Sequence, residues 1–192
     1  MNRLLLSAWK TGDVLYRKCR KFDFDDSKGD NIFRIIVNNY HGPDLQVRGT
    51  WLRNGDRIGE LHLYNYRLQK ILANATFETQ LGLVALREVR KSFPSLIDFM
   101  NLSPKGQSIQ ALVGITVLHK GAASLGFDVF DLDESWYKHF KAFYMRWMMR
   151  VCHPYGSERF NSRGESLIPK RVVMMRDSFL SKYGHKAICV TN

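Results

Sequence analysis

Two groups of side chains in this sequence have the types and spacing to do chemistry. The first is Glu60 and His62, in the run Gly59-Glu60-Leu61-His62-Leu63-Tyr64. In a strand, alternation places Glu60, His62 and Tyr64 on one face and Leu61 and Leu63 on the other. The acid and the imidazole then stand about 7 Å apart along the backbone. Such a pair can share one divalent metal, or Glu60 can orient His62 as a general base. A metal would require a third ligand, which His119, His153 or Asp56 can supply only through the fold. The plainer account is a hydrogen-bonded polar pair on the exposed face of an edge strand. The sequence favours that account, because a two-residue signal is unspecific. No cofactor is predicted, and a divalent metal at Glu60 and His62 is admissible without being favoured.

The second group is His153, Tyr155, Ser157, Arg159 and Arg163, on a Gly-containing loop after an expected helix C-terminus. A protonated histidine is favoured at that end of a helix dipole. Arginines on such a loop suit phosphate or carboxylate through bidentate contacts. A helix stop followed by a solvated basic loop has the same composition, so the two readings stand level.

Periodicity supplies the elements that must position these groups. An amphipathic helix with a basic end is expected at about residues 4–20, either packed on the domain or lying on a membrane surface. The acidic stretch 23–30 reads as a solvated loop. Its Phe24-Asp25-Asp26 resembles the metal-and-base triplet of polysaccharide deacetylases, but none of the six histidines forms the helical pair such a metal needs. Residues 32–39 and 45–52 read as strands. The Asn54-Gly55-Asp56 turn and a strand through Tyr64 then complete an antiparallel meander. Asn65 is a suitable cap for a helix over 66–74. A longer helix is expected over 77–93, stopped by Pro94, with a short turn at 96–100.

Residues 111–118 form an apolar run suited to a central strand. A helical turn at 121–126 and a short strand at 127–132 follow. Asp133 opens the strongest helix pattern, to about Val151, whose stripe of Trp136, Phe140, Phe143 and Trp147 reads as core. A strand at 170–175 and a helix capped by Asp177 and ended by Gly184 close the chain. The fold class is therefore α+β: one domain over 1–192, with a mainly antiparallel sheet of about five or six strands covered by helices.

Composition sets the outer bounds. A chain of 192 residues with 45% apolar and 24% charged residues is long enough to bury its own core. The three widely spaced cysteines, Cys19, Cys152 and Cys189, argue against a disulfide framework or a zinc ribbon. The short Leu4-Leu5-Leu6 run falls short of a signal peptide, and no window suits a spanning helix, so a cytoplasmic protein is expected, at most peripheral to a membrane. The net charge of +11 favours anionic partners: glycan, phosphorylated small molecule, acidic lipid or nucleic acid. Nucleotide-binding glycine loops, a nucleophile elbow and nucleic-acid motifs are absent from the sequence.

Four pieces taken together resemble the bacterial YkoP-like domain family. They are Asn54-Gly55-Asp56 with residues 60–65; Gly114-Ile115-Thr116 with Leu125-Gly126-Phe127; His153-Pro154-Tyr155-Gly156 with Arg159; and Pro169-Lys170 leading to Phe179-Leu180 and Tyr183-Gly184. They span about residues 10–185. Such domains occur alone or attached to polysaccharide deacetylase domains, so the resemblance implies a link to cell-envelope glycan metabolism without assigning catalytic residues. The expectation is a non-catalytic accessory or binding protein, with a cleft between the Glu60-His62 strand and the His153–Arg159 loop that receives an anionic glycan or a phosphorylated precursor. The alternatives are a hydrolase or transferase using Glu60 and His62, then a nucleic-acid-binding protein supported by charge alone.

Overall fold

In a computed structural model of the chain, residues 20–26, 31–64, 78–116, 118–132 and 169–187 are described. Their centre is β2, Phe33–Asn39, where Phe33, Ile35 and Val37 face one way and Arg34, Ile36 and Asn38 the other. Beside it lies β5, Arg57–Leu63, antiparallel, with Arg34 opposite His62 and Ile36 opposite Glu60. Next comes β6, Ala111–Thr116, which runs parallel to β5 and sets Val113 opposite Glu60. A parallel neighbour cannot follow through a tight turn, so the chain between them makes a long crossover carrying the helix α1, Glu78–Leu102. On the far side, β8, Lys170–Met175, and β7, Asp128–Phe130, add antiparallel strands, while β1, Phe24–Asp25, lies outside β2. The sheet order is β1-β2-β5-β6-β8-β7, and the expected α+β class with a mainly antiparallel sheet holds.

One face of the sheet carries the helices. Phe93, Leu96, Ile97 and Met100 of α1 recur at helical spacing and are buried against Ile35, Val37, Leu112, Val172 and Met174. Phe179 and Tyr183, from the closing helix α4, Arg176–Ala187, meet Phe93 at ring distances of 5.1 and 4.5 Å. Between them in sequence are the short helices α2, Pro104–Gln107, and α3, His119–Ser124. Ser92 ties helix to sheet: its hydroxyl accepts from Ile32 N at 3.0 Å and donates to the Glu88 carbonyl at 2.9 Å.

Over the opposite face lies a separate two-stranded hairpin, β3, Leu45–Val47, and β4, Thr50–Leu52. Val47 and Leu52 are buried with Tyr40, Ile58, Ala111, Val113 and Val173 in a second core. The single strand expected over 45–52 is thus two strands, and no simple meander forms, because β2 pairs directly with β5. The reversal falls at Arg48 and Gly49, with φ of 49° and 86°, the pairing of positive angles that suits a two-residue hairpin turn. Arg48 reads poorly as a turn residue in sequence. Its guanidinium reaches the Asp128 carboxylate at 3.2 Å, which helps to hold the hairpin against β7.

Three other expectations change. Helix α1 continues through Pro94. The lost hydrogen bond and ring clash cost about 3 kcal/mol, whereas burying four large apolar side chains around and beyond it returns roughly 6–12 kcal/mol. The last helix begins at Arg176 and passes through Gly184, because Leu180 and Tyr183 pack into the core and carry the helix past the weak residue. The acidic stretch is not merely solvated. Asp23 accepts from Val37 N at 2.7 Å and from Lys105, and Asp25 accepts from the buried Arg34. The expected helices at 4–20, 66–74 and 133–151, and all three cysteines, lie outside the described residues. Among the described residues, no helix is long and apolar enough to cross a membrane.

Two stability predictions follow from these contacts. Pro94 is exposed, so Pro94→Ala should raise the unfolding free energy by about 1–2 kcal/mol; a lowered urea midpoint would show that α1 requires the proline geometry. For Asp23, burial alone would raise the carboxyl's pKa, but the hydrogen bonds from Lys105 and Val37 and the nearby Lys105 and Arg57 charges hold it below the ordinary 3.8. A depressed folded-state value stabilises above the unfolded pKa, and that contribution is lost as pH falls through the folded one. The stability gap between wild type and Asp23→Asn should therefore stay constant from about pH 7 to pH 5 and narrow below about pH 4. Urea titrations showing a pH-independent gap would contradict this.

Candidate functional site

Alternation does place Glu60 and His62 on one face, the one opposite the helices. Their strand is not an edge, however: β5 lies between β2 and β6. Its polar face is consequently hemmed in on both sides. The Glu60 side chain is 37% exposed and that of His62 18%, and Glu60 Oε1 lies 3.5 Å from His62 Nε2. Asn38, on the same face of β2, donates its side-chain amide to Glu60 Oε2 at 3.3 Å. One carboxylate oxygen is thus held from the neighbouring strand, and the other stands beside the next same-face residue of β5.

Behind His62 the environment changes from cleft to core. Phe22 meets the imidazole edge-on at 5.7 Å. Arg34, paired across the ladder with His62, is 2% exposed, with its guanidinium 4.0 Å from the Tyr64 ring centroid and 5.2 Å from that of Phe22. Its Nε donates to Asp25 Oδ1 at 3.4 Å. Aromatic faces and a carboxylate together offset part of the large cost of burying a guanidinium. His62 therefore belongs to a packed polar cluster, and Glu60 is its outward member.

Glu60 opens onto a cleft of about 590 Å³, a volume within the usual range for small-molecule sites. Ile58, Val113 and Ile115 contribute apolar lining, and Asn38, Tyr40, His41, Arg57 and Arg171 join Glu60 as its polar lining. The key cation is Arg171, on the same face of β8 as Val173 and Met175 and opposite Ile115. Its Nη1 donates to Tyr40 Oη at 3.0 Å, and its guanidinium stands 5.5 Å from the Tyr40 ring centroid. Tyr40, itself only 2% exposed, donates its own hydroxyl hydrogen bond to the Pro43 carbonyl at 2.9 Å. The β2–β3 loop closes tightly over this anchor: a Cβ at Gly42 would stand 2.6 Å from Tyr40 Oη and 3.3 Å from Arg171 Nη1.

Of the residues expected from sequence, Glu60 lines this cleft and His62 stands behind it. His153, Tyr155, Arg159 and Arg163 lie outside the described residues. Among the described residues, no three His, Cys, Asp or Glu side chains come together as a metal would require. Asp56 is occupied on its turn, where its carboxylate accepts from Arg53 N at 2.7 Å. His119 begins α3, where burial, then the Lys170 and Lys120 charges, push its pKa below the ordinary 6.5 against an opposing pull from Asp131. Asn38, Tyr40 and Arg171 escaped sequence reasoning. The available signal was Arg171 interrupting the inward apolar alternation of a strand otherwise rich in Val and Met.

The family model described as the YkoP domain matches residues 2–183 of the chain. A protein of Bacillus subtilis (strain 168) called "Uncharacterized protein YkoP" is 30% identical over 142 residues, which cover 73% of this chain and 78% of that protein. No solved structure matches the chain.

The Tyr40 hydroxyl is a buried link between loop and sheet, so Tyr40→Phe should cost about 1–2 kcal/mol of unfolding free energy. Denaturant titration checks this; a change within about 0.3 kcal/mol would show that the Arg171 anchor carries no net stability.

Proposed function

The chain belongs to the YkoP domain family, and from that premise we propose that it is a binding protein whose Glu60–Arg171 cleft receives an anionic carbohydrate or its phosphorylated precursor. The observation that carries this reading is the state of Arg171. One N–H group and the guanidinium face are spent on Tyr40, and the side chain makes no other hydrogen bond among the described residues. A planar fork held by one corner beside a cleft suits bidentate capture of phosphate or carboxylate. Asn38 and Glu60 offer the amide and carboxylate chemistry that suits sugar hydroxyls. The net charge of +11 would favour encounter with an anion.

The link to envelope polysaccharide metabolism rests on the family resemblance, and a cytoplasmic location rests on the sequence. Any contribution of His153, Tyr155, Arg159 and Arg163 to the same anion, or of the N-terminal segment to a membrane surface, is part of this proposal. The contact between Glu60 and His62 favours one second reading, a hydrolase or transferase with Glu60 as base and His62 as its positioning residue. Turnover of a phosphorylated or acylated sugar that is abolished in Glu60→Gln would replace the binding reading with this one.

The test of the binding reading is isothermal titration of the protein with glucose 1-phosphate and glucuronic acid at low salt. Loss of a charge-assisted contact in Arg171→Ala should weaken binding of the recognised ligand about 10- to 100-fold. Arg171→Lys should restore only part of it, because an ammonium cannot reproduce the fork. Equal affinity in wild type and Arg171→Ala would end the proposal for this cleft.

A further inference from the structure

Resting on the reading of the cleft as an anion site, we infer that its ligand carries two separated oxyanions, one for Arg171 and one for Arg57, as a sugar phosphorylated at both ends does. Arg57 is the second arginine of the cleft lining. It opens β5 opposite Asn39, the last residue of β2, and its Nη1 donates to Asn39 Oδ1 at 2.9 Å. The next residue, Tyr40, holds Arg171 in the same manner, through one hydrogen bond from Nη1. Two consecutive residues at the end of β2 thus fix one guanidinium each. Beyond these anchors, neither arginine side chain makes a hydrogen bond or ion pair within the described residues except the ring contact of Arg171 with Tyr40. Asp23 feels the Arg57 charge, but its carboxylate accepts from Lys105 and Val37 N instead. Glu60, on the same lining, is engaged by Asn38 and stands beside His62. Each guanidinium therefore keeps most of its five N–H groups for a ligand.

Strand register keeps the two cations apart. Ile58, Ala111 and Met175 lie in line across β5, β6 and β8. Arg57 is the residue just to one side of that line, and Arg171 is displaced to the other side, opposite Ile115. Strand rise and spacing then put their Cα atoms about 19 Å apart. Asn39 also draws the Arg57 side chain toward β2, away from β8. A single phosphate is out of reach of both forks at once, and the adjoining groups of a pyrophosphate lie too close together to serve them. A sugar with a phosphate at each end separates its anions by a whole ring, so each fork can take one. Arg171 is the half-buried member and Arg57 the exposed one. The first should supply the larger share of affinity, and the second, more screened by salt, the preference for a dianion.

The experiment titrates glucose 1,6-bisphosphate, glucose 1-phosphate, glucose 6-phosphate and inorganic pyrophosphate into wild type, Arg57→Ala and Arg171→Ala at low salt. Because Arg57 is exposed, Arg57→Ala should fold, and matched thermal unfolding curves check this. Wild type should bind the bisphosphate about tenfold or more tighter than either monophosphate or pyrophosphate, the effect of one further charge-assisted contact. Arg57→Ala should bring the bisphosphate down to the level of the monophosphates and leave the tighter monophosphate within about threefold of wild type. Arg171→Ala should weaken the bisphosphate and that monophosphate together. A wild type that binds monophosphate or pyrophosphate as tightly as bisphosphate would overturn this inference and leave the anion site intact, provided Arg171→Ala still weakens binding. That comparison needs no variant of Arg57. A bisphosphate preference unchanged in folded Arg57→Ala would overturn the inference equally. Binding of no anion, or binding indifferent to Arg171→Ala, would overturn the anion site itself and this inference with it.

Discussion

The structure depends on the pairing of β5 with β2 on one side and β6 on the other. That double pairing commits every second residue of β5 to a fixed environment. Leu61 and Leu63 pack with the helix-covered core, and Gly59 lies where an added Cβ would come within 3.3 Å of Leu112, Ile109 and Ile35. Ile58, Glu60 and His62 take the other face. A slip of one residue would bury the acid and the imidazole under α1 and turn the leucines outward, so the register is strongly specified. Because β6 is parallel to β5, the connecting chain must cross over, and α1 crosses with it to roof the first face.

The second face is divided along its length. The hairpin of β3 and β4 covers the half around Ile58, Ala111 and Val173 with an apolar second core. The half around Arg34, Glu60 and His62 has polar groups instead, and the cleft lies where the two halves meet. Arg34 shows how such a face can be stable. A guanidinium that is almost wholly buried is tolerated because two rings and the Asp25 carboxylate surround it. The short strand β1 exists in part to deliver that carboxylate. Polar residues grade from a packed cluster at Arg34 to the partly exposed carboxylate at Glu60, and under the proposed function they would form a rigid wall that limits the entropy lost on binding.

On the opposite wall, Arg171 is organised by a residue far away in sequence. Tyr40 is 131 positions earlier, yet its hydroxyl accepts a hydrogen bond from Arg171 and its ring lies beside the guanidinium. Gly42 permits the loop to press on both. The charge of the site is therefore not a property of the basic residues in bulk. It arises where Arg171, Arg57 and Glu60 are each fixed by a neighbouring side chain around one cleft.

Local pattern in the chain determined the class of the fold and most of its strands. Apolar alternation marks β2, β5 and β8, and the continuous apolar run marks β6 as central, since each depends on residues close in sequence. The shared face of Glu60 and His62 was legible for the same reason. What only the tertiary structure decided were the outcomes set by distant partners. Burial beyond Pro94 outweighed the proline break, a positive φ at Arg48 made one expected strand into a hairpin, and packing by Leu180 and Tyr183 carried the last helix through Gly184. The same holds for the site. Sequence named Glu60, but its place on one cleft with Arg171 and Tyr40, and that of His62 behind it, required the sheet to bring strands from both ends of the chain together.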